Sequence, residues 1–384
     1  MKRIMKNSAV QSLLASLACI IVGLLIGYIV LLFINPAGAW DAILTVIKNF
    51  FYYPSKPAAL KYFGSTLVKT VPLMLCGLSV LFAYKVGLFN IGAAGQYVAG
   101  AGAALYLALA LNQPWYVCVI GAMLAGAVLG AISGALKSYC NVNEVISCIM
   151  LNWISLYVVN MILTTVKETT SPYTFTLSST NPAALIPSLG LGKLFSNNQY
   201  VTIALPIAIL VSILIWVLLE KTKFGYELRA TGSNKNAAKY CGMNEKRNII
   251  LTMVIAGALA GLGAALLFLT GFEQWQCSQS SVPTMGFNGI AAAFLGGLNP
   301  IGNIFSSYFI QHITNGGAYV DKTMYCAQIS DLISAIIIYL CGFVAFFKYF
   351  INNCIDRSEE HKAHKKAAED AAEKAGAIKE GGNK

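Results

Sequence analysis

The sequence predicts an all-α polytopic membrane protein with about ten transmembrane helices, some of them short or broken. Three observations carry that class. Hydrophobic residues make up 57% of the 384 and charged residues only 11%, where a soluble domain has about 25% charged; the mean hydropathy is +0.64. Several uninterrupted apolar runs reach the roughly 20 residues that cross a bilayer as a helix. The net charge of +11 sits in the short loops between those runs, because the segment 349–384 carries seven basic and seven acidic residues. Loop-borne positive charge orients membrane proteins and requires no nucleic-acid partner. The same composition excludes a soluble enzyme, a disordered chain and a disulfide scaffold.

The elements follow in chain order. Lys2, Arg3 and Lys6 precede a run over 9–34 that is too long for a signal-peptide core and has no small-residue cleavage site after it. It reads as a retained first helix with a cytoplasmic N-terminus. Apolar length and loop breakers place further spans at 65–84, 91–111, 114–136, 145–165, 200–219 and 249–270. Two short glycine-containing segments, 289–298 and 304–315, meet at Asn299-Pro300, and a last span covers 329–347. With the N-terminus inside, 20 of the 27 basic residues fall on the cytoplasmic side, provided that the two short segments go in and out as a pair. Both termini are then cytoplasmic. Residues 1–349 form the transmembrane domain, with a cytoplasmic loop at 220–248, and 350–384 form a charged, low-complexity cytoplasmic tail. Trp40, Trp115 and Trp275 are expected at the outer interface, and Lys69 is expected to snorkel to it.

Small residues recur at four-residue spacing, Gly126, Gly130 and Gly134 on one helix and Gly257 and Gly261 on another, which lets helices approach closely in lipid. The stretch 89–94 echoes 287–292, and matching polar interruptions in two halves of a membrane chain point to a translocation path. The ten cysteines include no C-x-x-C pair and read as small apolar residues; a Cys277–Cys326 disulfide is the alternative for that outer pair. Three histidines supply no metal triad, no glycine-lysine phosphate loop occurs and no Ser/His/Asp order fits. No catalytic residue, metal ligand or cofactor is therefore assigned to the chain, and it does not read as an enzyme.

Polar residues within apolar runs are expensive and face a pathway or a partner helix. Asn90, Gln96, Asn152 and Asn288, with Phe287 beside the last, are the candidate pathway residues; the amides suit a polar solute such as a ribose ring, and equally suit holding helices together, the favoured role for Asn152. Glu144 either lines the inner mouth of a path or pairs with Lys137. In the loop 220–248, Ser233 or Asn234 can cap a helix N-terminus and Gly242 can close it in the left-handed conformation. The two turns between carry Ala237-Ala238. A short, capped, small-sided helix suits a groove on another protein; a plain amphipathic connector is the alternative.

This loop resembles the coupling segment of permease subunits of ATP-binding-cassette importers, in the branch of ribose, other simple-sugar and nucleoside permeases. Three further stretches agree in family order: 87–96 (GLFNIGAAGQ), 143–152 (NEVISCIMLN), and 286–291 with Asn299-Pro300-Ile301-Gly302. The resemblance implies an ABC importer permease architecture in the plasma membrane and a subunit that is passive by itself. It would translocate nucleosides or related sugars. ATP would be used by a separate ATPase subunit engaging Gly225, Arg229, Ala230, Gly232, Asn234, Ala237, Ala238 and Gly242. An extracytoplasmic substrate-binding lipoprotein would deliver the solute, and a second permease subunit would close the pathway, as a heterodimer or, alternatively, a homodimer. One departure matters: nucleoside-type members often have an acid where Ala94 stands, so no role for that carboxylate carries over. The competing class is an ion-coupled secondary transporter of a small polar solute. It would need buried carboxylates in the spans, where Asp331, at the edge of the last one, is the main exception to their near absence.

Overall fold

A computed structural model describes residues 8–321 and 323–326, and isolated positions beyond them up to 353. The expected last span and the charged tail lie for the most part outside the described residues. Helices of six residues or more are numbered here in chain order. The first, α1 (Ser8–Ile34), is apolar on all sides, and only 22% of its most apolar stretch is buried, so it faces lipid. After Asn35-Pro36 comes α2 (Ala39–Lys48), which the span pattern passes over because ten residues cannot cross a bilayer. Its buried Ala39, Ala42, Ile43 and Val46 follow the i, i+3, i+4, i+7 rule of a one-faced helix.

The central post is α3 (Lys56–Lys85), thirty residues with Pro57 in its first turn and Pro72 within it. At 1.5 Å per residue it is about 45 Å long, and 89% of its most apolar stretch is buried. It starts nine residues before the expected span, because the helix continues outward past the apolar run. Around it stand α4 (Ala93–Leu109), α5 (Trp115–Cys140), α6 (Glu144–Leu163), α7 (Ala204–Lys221) and α10 (Glu245–Phe268). Two helices at one end, α8 (Lys223–Ser233) and α9 (Lys235–Tyr240), separate α7 from α10. Two shorter helices complete the described chain, α11 (Met285–Leu295) and α12 (Pro300–Gly316). Six helices among the described residues are long and apolar enough to cross a membrane, and α4 and α11 are shorter apolar helices. The architecture is all-α and polytopic.

In lipid there is no water to drive helices together, so association rests on close packing and hydrogen bonds. The glycine stripes supply the packing. A Cβ on Gly126 would strike the Gly257 carbonyl oxygen, one on Gly130 the Met253 carbonyl, and one on Gly261 the Ala122 carbonyl. The backbones of α5 and α10 therefore touch. Gly100 of α4 packs in turn on the Gly261 main chain. The α11–α12 hairpin turns at Gly297 (φ +66°) and Leu298 (φ +54°), and Asn299 caps α12 by accepting the Ile301 N–H at 2.9 Å. Ser306 donates to the Ala292 carbonyl at 2.6 Å, closing the hairpin on itself. Asn303 donates to the Met74 carbonyl of α3 at 2.8 Å, with its amide oxygen where a Cβ on Gly77 would lie. The two short segments do form an antiparallel pair.

The loop-rich end of the bundle is pinned by backbone pairing. Thr174 N donates to the Trp275 carbonyl at 3.0 Å and Cys277 N to the Pro172 carbonyl at 2.8 Å, so residues 275–277 lie across the loop after α6. Trp275 is accordingly 2% exposed and donates through Nε1 to Asn160 Oδ1 at 2.9 Å; it is a core residue, not the interfacial tryptophan expected. Trp40 is 61% exposed. Cys277 and Cys326 are both free thiols, and no disulfide joins them. Burial pushes the Cys277 thiol above its ordinary pKa.

Candidate functional site

Two of the candidate pathway amides, Asn90 and Gln96, pair inside the chain, and a third, Asn152, bonds the main chain beside them. The segment 86–92 returns from the end of α3 into the bundle and carries Asn90, fully buried. Its amide donates to Ser79 Oγ and to Gln96 Oε1, each at 2.9 Å, and accepts from Gln96 Nε2 at 3.3 Å. Asn152, on α6, accepts the Gly95 N–H at 2.8 Å and donates to the Ile91 carbonyl at 3.1 Å. Gly95 is in the first turn of α4, whose own N-cap residue Gly92 has no side chain to offer. Asn152 thus caps α4 from a neighbouring helix and meets a backbone donor that nothing else would satisfy. Gly95 allows this, since a Cβ there would lie 2.5 Å from the Asn152 amide oxygen. Phe287 and Asn288 differ: both are half-buried on α11, and the Asn288 side chain makes no hydrogen bond among the described residues. The start of α11 meets the first half of the sequence echo, for a Cβ on Gly286, one residue before the second half, would strike the Cα of Ala94. Buried Ala94 has that backbone against it, where a longer acidic side chain would need the contact rearranged. Glu144 opens α6 and pairs with Lys137 at 2.7 Å, closing the end of α5 onto the start of α6.

At the same end, the segment after α7 folds into two capped helices. Thr222 accepts the Gly225 N–H at 3.0 Å to start α8. Asn234, rather than Ser233, accepts the Ala237 N–H at 3.0 Å to start α9. Gly242 adopts φ +80° just past the C-terminus, with open space around it. The glycines of α8 dock this segment onto the bundle itself. A Cβ on Gly225 would strike the Leu218 carbonyl of α7, and one on Gly232 would lie 2.5 Å from the Val86 carbonyl carbon. Gly87, at φ +76°, faces Gly232 from the other side of that contact. Buried Thr231 accepts from Asn248 Nδ2 at 2.8 Å, tying α8 to the first turn of α10. Arg229 pairs with Glu220 at 3.1 Å, and Ala230 is half-buried beside it. Ala237 is exposed. Ala238 is 3% exposed, which corrects the expectation that both alanines present to a partner: on a helix of six residues, adjacent positions point about 100° apart, and Ala238 is the one turned inward.

At the loop-rich end, two cavities flank the segment 271–276. One, of about 460 Å³, is lined by Leu105, Tyr200, Phe272 and Gln274 among others. The other, of about 310 Å³, includes Tyr97, Gln274 and Gln279. Lys69 reaches Glu273 at 3.3 Å and lies 5.4 Å from the centre of the Phe272 ring, so it is paired rather than snorkelling. Among the described residues no cluster of three or more His, Cys, Asp or Glu could hold a metal.

Residues 62–342 match the family described as branched-chain amino acid transport system / permease component. The chain belongs to that permease family. Curated relatives agree. The permease is 32% identical over 367 residues to the nucleoside ABC transporter permease protein NupB of Lactococcus lactis subsp. cremoris, covering 93% of this chain and 97% of that one. It is 32% identical over 333 residues to the guanosine ABC transporter permease protein NupP of Bacillus subtilis, covering 85% and 92%. A second Lactococcus lactis protein, the nucleoside ABC transporter permease protein NupC, is 27% identical over 264 residues, 64% of this chain and 78% of that one. These relatives are transport proteins, and the permease is one too, not an enzyme.

The residues that the sequence reading missed lie at 273–279. Glu273, Gln274, Gln276 and Gln279, around the Trp275 expected at the interface, follow an apolar run and look like an ordinary polar loop. The one legible signal is three glutamines and a tryptophan within six positions, an unusual density for a segment between two apolar helices of this permease.

Proposed function

We propose that the permease is the membrane-spanning subunit of an ATP-driven importer for nucleosides or related sugars. The observation that carries this reading is similarity along nearly the whole length of both chains to a nucleoside permease. The end built from α8 and α9 supports it, since two capped helices fastened to the bundle by main-chain contacts can pass on a push from a partner. That end is the cytoplasmic one, because it carries Lys221, Lys223, Arg229, Lys235, Lys239, Lys246 and Arg247, and both termini share it. A separate ATPase subunit docks against exposed Ala237, Asn234 and Gly242 and hydrolyses ATP. Gly225, Arg229, Ala230, Gly232 and Ala238 hold that docking element in place. An external binding protein delivers the solute to the loop-rich end. A second permease subunit completes the pathway; that NupB and NupC come from one organism and both resemble this chain supports a heterodimer.

The test is uptake of labelled guanosine, uridine and ribose by cells with and without the gene. ATP-dependent import of at least one should disappear on deletion and return on complementation. Import that persists undiminished in the deletion strain, or that follows the proton gradient with ATP depleted, would overturn the proposal.

A further inference from the structure

The connection from α3 to α4 runs through the bundle and not over its surface. Residues 86–92 are non-helical, yet Val86 and Leu88 are 1% and 2% exposed and Asn90 is fully buried. Irregular backbone at membrane depth is tolerated only where protein or a water-filled space surrounds it, and here protein does. Leu88 packs among Ala83 of α3, Cys148 of α6 and Ile249, Met253 and Ala256 of α10. At one end the segment meets α8 main chain to main chain. A Cβ on Gly232 would lie 2.5 Å from the Val86 carbonyl carbon, and one on Gly87, at φ +76°, would lie 3.0 Å from the Gly232 carbonyl oxygen. At the other end, a Cβ on Gly286 of α11 would strike the N and Cα of Ala94, in the first turn of α4. Neither contact has a side chain that could turn to absorb a shift. Between the two ends, Asn90 donates to Ser79 of α3 and to Gln96 of α4, each at 2.9 Å, and Gln96 donates back at 3.3 Å. Hydrogen bonds are strong in such a low-dielectric interior, so this triangle fixes one geometry for a stretch that no helical ladder holds.

From these contacts we propose that residues 86–94 are a transmission joint that carries a displacement of α8 to the start of α11, and that Asn90 is the positioning residue that keeps the joint stiff. The proposal rests on the reading of α8 and α9 as the ATPase dock. Thr284 and Met285, at the start of α11, stand in the wall of the cavity of about 310 Å³. A push on α8 at the cytoplasmic end therefore reshapes a cavity that opens at the opposite, loop-rich end.

The test uses the permease in complex with its ATPase subunit, held in nanodiscs. Thr284 is exposed, so Thr284→Cys in a background free of native cysteines reports the start of α11 by its rate of maleimide labelling. ATP should change that rate severalfold. Asn197→Cys, on an exposed loop at the same end, should label equally with and without ATP. Asn90→Leu keeps the side-chain size and removes all three hydrogen bonds. It should shrink the ATP effect at Thr284→Cys by about threefold or more, the scale of coupling losses along a packed route, while the ATPase still co-purifies and turns over. In proteoliposomes, ATP hydrolysed per guanosine imported should rise in parallel, a ratio that a merely destabilised permease would not move. Asn181→Ala is the control for destabilisation alone. It deletes two bonds, to the Ala108 and Gln113 carbonyls, and should lower melting without changing the ATP effect or the ratio. Gly87→Ala perturbs the exposed end of the joint, should give the same loss as Asn90→Leu, and covers the case in which the leucine variant fails to reach the membrane. Labelling of Thr284→Cys that ignores ATP in a complex whose ATPase turns over, or an ATP effect preserved in both Asn90→Leu and Gly87→Ala, would overturn the joint and leave the import reading intact. Failure of any ATPase subunit to co-purify with the wild-type permease would instead remove the import reading, and the joint with it.

Discussion

Removing the side chain of Asn152 separates a helix clamp from a solute contact. Asn152→Ala deletes two hydrogen bonds, the 2.8 Å bond from Gly95 N–H and the 3.1 Å bond to the Ile91 carbonyl. Side-chain hydrogen bonds between membrane helices average about 0.6 kcal/mol and reach about 1.7 kcal/mol. Two of them, with a buried backbone donor left bare in the first turn of α4, give a loss of roughly 1–3 kcal/mol. Thermal unfolding of the purified permease in detergent should fall by several degrees. Asn152→Asp should fall at least as far, because it keeps an acceptor for Gly95 but sets a buried carboxylate against the Ile91 carbonyl. Guanosine import, normalised to folded permease in the membrane, should stay near wild type in both. An Asn152→Ala protein that unfolds at the wild-type temperature yet imports poorly would refute the clamp and make Asn152 a solute ligand.

Three further outcomes are expected. Gly130→Val should sharply lower the yield of folded permease, since its side chain would meet the Met253 carbonyl, a backbone atom that cannot turn aside; overpacking of this kind costs about 1–3 kcal/mol or more, and unchanged melting would show that α5 and α10 are not in contact. Ala237→Trp should leave folding intact while reducing ATPase co-purification, whereas Ala238→Trp should destabilise the permease itself, because Ala238 is buried; the opposite pattern would place the docking face elsewhere. An impermeant thiol reagent should label Asn197→Cys in intact cells and spare Asn236→Cys, both positions being exposed; the reverse result would invert the orientation. Asn198 itself is unsuited to that experiment, being buried with its amide on the Lys61 carbonyl at 2.8 Å.

Span-length apolar runs and glycine stripes are visible one residue at a time, which is why the helices and their close-packing faces could be read from the sequence, but that the stripes of α5 and α10 meet each other is seen only in the fold. Caps are equally local, so Asn234 and Gly242 fall where the loop chemistry puts them. The orientation of individual side chains is not local. Asn90, Gln96 and Asn152 look alike as amides in apolar runs, and only the return of 86–92 into the bundle shows them satisfying one another and the end of α4. Gly225 and Gly232 look like partner-facing residues until α7 and Val86 are seen to occupy their missing side chains. Trp275 follows the interface rule for tryptophan until pairing with the loop after α6 covers it. The 310 Å³ cavity joins α4, α10 and two loops from distant parts of the chain, so no single stretch could announce it.

The contact between α5 and α10 has a mechanical side. With main chain against main chain, neither helix has a rotamer to turn aside, and a slip of one residue, 1.5 Å along the axis, would drive a carbonyl oxygen into a Cα. The two helices must therefore move as a single strut. A displacement received at α9 reaches α10 through residues 241–244, and α10 then carries α5 with it. Rearrangements that open one side of the permease and close the other must then carry that pair as a unit, and the same holds for α11 on α3, where a Cβ on Gly289 would lie 2.8 Å from the Cys76 carbonyl carbon.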